Sequence, residues 1–83
     1  MNDIRADYLI GDAYLKGTGA AVDEKLAVEH FKLASDAGDA DAHFGLYRCY
    51  RDGLGVRRNK KSQAKYLKLA KDAGHPEALE QAE

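Results

Sequence analysis

The chain has 83 residues, 45% of them apolar and 33% charged, and a formal net charge of −1. That length allows one domain with a small core, and no apolar run approaches the roughly 18 residues of a membrane-spanning helix. A lone cysteine, Cys49, excludes an internal disulfide, and with His30, His43 and His75 scattered along the chain it leaves zinc short of ligands.

The first helix is predicted to start at Asn2 or Asp3, whose side chains can accept hydrogen bonds from first-turn amides. Ala6, Ile10, Ala13, Tyr14 and Gly17 recur at helical spacing as one apolar face. Gly17 and Gly19 end that helix, because glycine reaches the left-handed conformation of a helix exit. Gly11, in its interior, costs about 1 kcal/mol relative to alanine and predicts close approach by a neighbouring helix.

The second helix starts at Asp23, a good N-cap, after the Ala20-Ala21-Val22 linker. Leu26, Ala27, Phe31 and Ala34 form its apolar stripe, with Val28 and Leu33 widening it, as suits a helix that touches several neighbours. Small residues at Ala27, Ala34 and Ala37 predict tight antiparallel packing, and Gly38 closes the helix.

The unit then restarts. Asp39 caps a third helix carrying Ala42, Leu46, Cys49 and Tyr50, and Gly53-Leu54-Gly55-Val56 follows it. Asn59 takes the capping role of Asp23 for a fourth helix, with Ala64, Leu67, Leu69, Ala70 and Ala73, that stops at Gly74. Pro76 is placed in the first turn of a last, short and mostly polar helix, Glu77 to Glu83, read as a cap on the stack.

These elements recur every 36 residues: Gly17-Thr18-Gly19 with Gly53-Leu54-Gly55, Tyr14 with Tyr50, Lys32-Leu33-Ala34 with Lys68-Leu69-Ala70, Asp36-Ala37-Gly38 with Asp72-Ala73-Gly74. A fixed period in this range is the signature of a repeat architecture. A dinucleotide-binding loop would need a third glycine and a preceding strand, and neither is there. The reading is therefore an all-α solenoid: two antiparallel helix-pair repeats plus a short C-terminal capping helix. It forms a single domain over residues 1–83, with repeats at 6–41 and 42–77 and a partial third unit or cap at 78–83.

The pattern resembles the Sel-one-like repeat family, helical pairs related to tetratricopeptide repeats. In the first unit the resemblance rests on Ala6, Ile10-Gly11, Tyr14, Gly17, Gly19, Asp23, Lys25, Ala27, His30-Phe31, Ala34 and Gly38. In the second it rests on Ala42, Leu46, Tyr50, Gly53, Gly55-Val56, Lys61, Tyr66-Leu67, Ala70 and Gly74. Tyr47 departs from a family glycine and should hold its partner helix further off; Gln63 replaces an alanine and Asn59 an aspartate. Cysteine-rich relatives described as β-lactam-hydrolysing carry a disulfide in each repeat, a frame that Cys49 alone does not supply. The resemblance implies an adaptor or scaffold whose matched residues are structural and not catalytic.

The residues themselves offer no catalytic constellation. His30 occupies the aromatic position of its helix and reads as partly buried rather than as a general base. His43 and His75, in first turns, are expected to be solvated. Cys49 on an apolar helix face reads as a small hydrophobe, not a reactive thiol. No enzyme, cofactor or metal is expected, and the start of the chain lacks the basic-then-apolar order of a secretory signal, so the expected compartment is cytoplasmic.

Binding is the better prospect. Arg5, Tyr8, Asp12, Leu15 and Lys16 lie opposite the Ala6-Ile10-Tyr14 stripe, and Asp41, Phe44, Arg48, Arg51 and Asp52 follow about one period later. First helices line the inner surface of such stacks, so the two sets should adjoin and offer a protein or peptide partner aromatic anchors among charges. Tyr8 and Phe44 could instead pack against adjacent helices.

The basic residues Arg57, Arg58, Lys60, Lys61 and Lys65, continued by Lys68, suggest phosphate contacts with nucleic acid or an anionic surface. The acidic total and the lack of an aromatic in that loop argue against it and for a solvated loop. Residues 1–41 carry nine acids against four bases, net −5; residues 42–83 carry five against nine, net +4. That dipole raises a further reading, a homo-oligomer joined end to end through its acidic and basic ends.

Overall fold

The computed structural model describes residues 4–18 and 21–81, with side chains from residue 6 onward. The expected caps Asn2 and Asp3, the Gly19-Ala20 part of the first loop, the side chain of Arg5 and the final Glu83 lie outside the described residues. Five helices follow in order: α1 (Ile4–Lys16), α2 (Glu24–Asp36), α3 (Ala40–Asp52), α4 (Lys60–Asp72) and α5 (Pro76–Leu79). The architecture is all-α, with α1 paired on α2, α3 on α4, and α2 against α3 between the pairs. The sequence period passes into the backbone: α1, α3 and α5 begin 36 residues apart, as do α2 and α4.

The caps explain these boundaries. Asp23 Oδ1 accepts from the Leu26 amide at 3.1 Å, Asp39 Oδ1 from Asp41 at 2.9 Å and Asn59 Oδ1 from Ser62 at 3.0 Å. Each returning loop is tied at the same place, by the Asp23 amide to the Tyr14 carbonyl at 2.9 Å and by Asn59 to Tyr50 at 3.2 Å. Gly55, at φ +72°, brings the second loop against the N-terminus of α2, where a β-carbon would collide with the Glu24 carbonyl.

Two clusters of buried residues hold the stack. One joins Ala27, Val28 and Phe31 of α2 to Leu46 and Cys49 of α3; the other gathers Phe44, Tyr47, Leu67, Ala70 and Ala78, and Tyr66 packs on both. Phe31 is the hinge of the packing. A β-carbon at Gly11 would lie 2.9 Å from its ring and one at Gly45 3.3 Å from it, so both glycines let first helices close on the same side chain.

The expectation that Tyr47 would hold α4 away is met by an exchange of bulk. Tyr47 and Leu67 stand 36 residues after Gly11 and Phe31, so the large residue moves to α3 and the smaller one to α4. The Tyr47 ring is buried in the second cluster and its hydroxyl donates to Gln81 Oε1 at 3.2 Å.

Several surface expectations change. Ile10 is 41% exposed and Leu33 56% exposed, and Ala37, Ala64, Leu69 and Ala73 are exposed as well. Helical spacing identified apolar faces but not which faces a neighbour covers. His43 and His75 are buried, not solvated. His43 Nδ1 meets Ser35 Oγ at 2.6 Å across the α2–α3 turn, and His75 occupies the N-cap position of α5, accepting from the Ala78 amide at Nδ1. The last helix spans Pro76–Leu79, with Pro76 in its first turn as expected and its end well before Glu83.

Candidate functional site

The inward faces of α1 and α3 meet in one groove. Tyr8, Asp12 and Leu15 line it from α1, Asp41, Phe44, Gly45 and Arg48 from α3, with Phe31 at the back and His75 and Glu77 closing one end. Of the ten residues expected to form a partner surface, the groove brings together Tyr8, Asp12, Leu15, Asp41, Phe44 and Arg48. Lys16 stands at its edge, ion-paired with Asp12 at 3.3 Å and largely exposed. Arg51 and Asp52 do not line it; they bond to each other, with both nitrogen–oxygen distances at 2.9 Å, and the Arg51 guanidinium lies 5.3 Å from the Tyr47 ring centre.

Packing decides what each side chain offers. Phe44, 6% exposed, stacks on His75 at 4.7 Å and tilts against Tyr47 at 5.3 Å, so it is wall rather than protruding anchor. Tyr8 rests on Phe31 at 5.7 Å and keeps part of its surface open. His75 sets the closed end: Nδ1 accepts from Ala78, which places the proton on Nε2, and Nε2–H donates to Asp41 Oδ1 at 2.8 Å. Three carboxylates and one guanidinium line the groove, in a volume of about 40 Å³. That volume is well below the roughly 300–1,000 Å³ of a pocket that encloses a drug-sized ligand.

His75 and Glu77 were not foreseen as site residues. The signal was available, since His75 stands 36 residues after the N-cap Asp39 and inherits its place beside the next first helix.

The other candidates sit elsewhere. Arg57, Arg58, Lys60, Lys61 and Lys65 are all exposed on the α3–α4 loop and the first turns of α4, away from the groove. Lys65 extends over the Tyr66 ring at 5.1 Å, and Tyr66 itself stacks on Tyr50 at 5.7 Å. Burial pushes the Tyr66 phenol above its ordinary range. Cys49 is fully buried, and desolvation drives its thiol up to about 11, leaving it protonated at neutral pH. Burial likewise lowers His43, against an opposing pull from Asp39. His30 contacts Asp7 at 3.4 Å and stacks on Tyr14 at 6.0 Å. Among the described residues no three histidine, cysteine or carboxylate side chains converge as a metal site, and no helix is long and apolar enough to cross a membrane.

Comparison with known proteins gives a consistent picture. The Sel1 repeat family model matches residues 4–39 and 40–75, two consecutive copies with the period read above. A crystal structure of a Sel1 repeat protein from Oxalobacter formigenes superimposes with a TM-score of 0.88 at 36% identity, over 92% of this chain and 22% of that one. Chitin synthase regulatory factor 1 of Schizosaccharomyces pombe is 40% identical over 47 residues, 55% of this chain and 10% of that protein. The chain thus spans a small part of the length of each.

Proposed function

This chain belongs to the Sel1 repeat family, and from that premise we propose that it is a non-catalytic module binding a protein or peptide partner along the groove between α1 and α3. Sel1 repeats are generally protein–protein interaction modules. The observation that carries the reading is the convergence of Tyr8, Asp12 and Leu15 with Asp41 and Arg48 from the helix one repeat later. An open apolar ring, a short aliphatic floor and charges of both signs are the composition of a recognition surface. Its shallowness favours a partner that lays several side chains along it over a ligand that enters it. The relative described as a regulatory factor supports a role exerted on other proteins. Selection of peptides from a displayed library against the chain tests this. Binders should lose affinity on Tyr8→Ala and on Arg48→Glu; selected binders indifferent to both would remove the groove from consideration.

A second reading has one observation in its favour, the exposure of Arg57, Arg58, Lys60, Lys61 and Lys65. Phosphate contacts there would give nucleic-acid binding that weakens steeply with salt and with Arg57→Ala plus Lys61→Ala. Fluorescence anisotropy with single- and double-stranded oligonucleotides measures it directly. Binding unchanged by those substitutions eliminates this reading.

A further inference from the structure

The two ends of the stack carry halves of an interface that the molecule already contains. Inside it, Leu46 and Cys49 of α3 are fully buried on Ala27, Val28 and Phe31 of α2. One period earlier the positions of Leu46 and Cys49 are Ile10 and Ala13 of α1; among the described residues Ala13 is only partly buried and neither belongs to a buried cluster. Ile10 is 41% exposed and the adjoining Leu9 56% exposed. Among the described residues, four of the six exposed large hydrophobics, Leu9, Ile10, Val22 and Leu33, belong to the first helix pair.

The opposite end shows the matching seat. Gln63, Ala64 and Leu67 of α4 are the counterparts of Ala27, Val28 and Phe31, and with Lys60 they line a groove of about 160 Å³. Among the described residues α5 packs beside this seat, its Ala78 sharing a buried cluster with Leu67 and Ala70. It begins one period after α3 but runs for four residues where α3 has 13. A single helical turn is not stable on its own; burial of Ala78 and the bond from Tyr47 to Gln81 hold it in place.

We propose that the ends are complementary, so that α1 of a second copy docks on α4 as α3 docks on α2, displacing the α5 turn. Charge favours this order of ends, since the first half carries −5 and the second +4, and like ends repel. Gln63 in place of Ala27 makes the seat more polar than the internal one, and Lys60 in place of Glu24 reverses the charge beside it. The contact is accordingly reversible and heterologous, able to add copies in one direction.

Sedimentation velocity from low micromolar to near-millimolar concentration, at low and high salt, tests this on the intact chain. Mass should rise with concentration and fall with salt. Ile10→Asp and Ala64→Arg, both at solvent-facing positions, should each give monomers, while an equimolar mixture of the two should form dimers and stop. Ala78→Asp, which unseats α5, should tighten association by about tenfold, and Gln81→Ala by a smaller factor; circular dichroism checks that both remain helical. A wild-type monomer under every condition would overturn the proposal, as would association indifferent to Ile10→Asp. Sensitivity to Ile10→Asp but not to Ala64→Arg would mean that two α1 faces meet, also against it. No tightening in either α5 variant would overturn the displacement.

Discussion

Phe31 is seated so closely against Gly11 that a β-carbon at position 11 would fall 2.9 Å from the ring and 3.0 Å from the Ala27 carbonyl oxygen. Alanine is the better helix former by about 1 kcal/mol, yet the clash involves backbone as well as ring and outweighs that gain. Gly11→Ala should therefore destabilise the chain by about 1–2 kcal/mol in urea unfolding followed by circular dichroism. In a Phe31→Leu background, which copies the Leu67 of the second repeat, the cost of Gly11→Ala should shrink. A double-mutant cycle with no coupling would show that the ring is not what fills the space.

Phe31→Ala should be far more damaging. It removes the side chain on which both first helices close, at a cost of about 3–5 kcal/mol. For a chain of this size total stability is on the order of 5–10 kcal/mol, so thermal melting should show most of the margin gone. By contrast Leu33→Ala, at a 56% exposed position on the same helix, should change stability by less than about 0.5 kcal/mol.

These two residues show what was legible in the sequence. The caps at Asp23, Asp39 and Asn59 and the glycine exits are local, each set by residues a few positions apart, and the 36-residue period is carried by residue identities alone, so all of them could be read directly. Leu33 and Ile10 looked like core because helical spacing reports an apolar face without reporting what covers it. His43 and His75 looked solvated because their partners, Ser35 and Asp41, lie 8 and 34 residues away. In the groove, the register placed Tyr8, Asp12 and Leu15 beside Asp41 and Arg48, but whether Phe44 protrudes or packs was decided by His75, a residue of the next unit.

His43 gives a pH prediction. Its burial against Ser35 disfavours the charged ring, so the folded state titrates below the unfolded value of 6.5. The unfolded chain then binds the proton first as pH falls, and this contribution, present above pH 6.5, is lost below it. Urea midpoints should decline between neutral pH and pH 5, and less steeply in His43→Gln. Equal slopes for the two chains would remove His43 as the cause.

Cys49 predicts the alkaline side. With its folded thiol raised to about 11 from 9.0, the unfolded chain loses the proton first, and stability should fall as pH rises between those values. Cys49→Ala should lack that component when compared with the parent over the same range. At neutral pH the native thiol should resist a disulfide reagent until denaturant exposes it, since it is both buried and protonated. Fast stoichiometric labelling of the folded chain would revive a reactive-thiol reading.

The groove makes the most direct functional prediction, because its residues differ in what they do for the fold. Phe44 is buried against His75 and Tyr47, so Phe44→Ala should cost about 3 kcal/mol or more and confound any binding assay. Tyr8 and Arg48 are only half-buried, and Arg48→Glu, which sets a fourth carboxylate beside Asp12, Asp41 and Glu77, should lower melting only modestly while reversing the one cationic charge lining the groove. With a peptide selected on the parent chain, isothermal titration calorimetry should show affinity falling by tenfold or more for Arg48→Glu, about 1.4 kcal/mol, and a comparable loss for Tyr8→Ala. Arg57→Ala with Lys61→Ala, outside the groove, should leave the same peptide's affinity within twofold. The reverse pattern, loss at the basic segment and none at Tyr8 or Arg48, would move the binding surface to the α3–α4 loop.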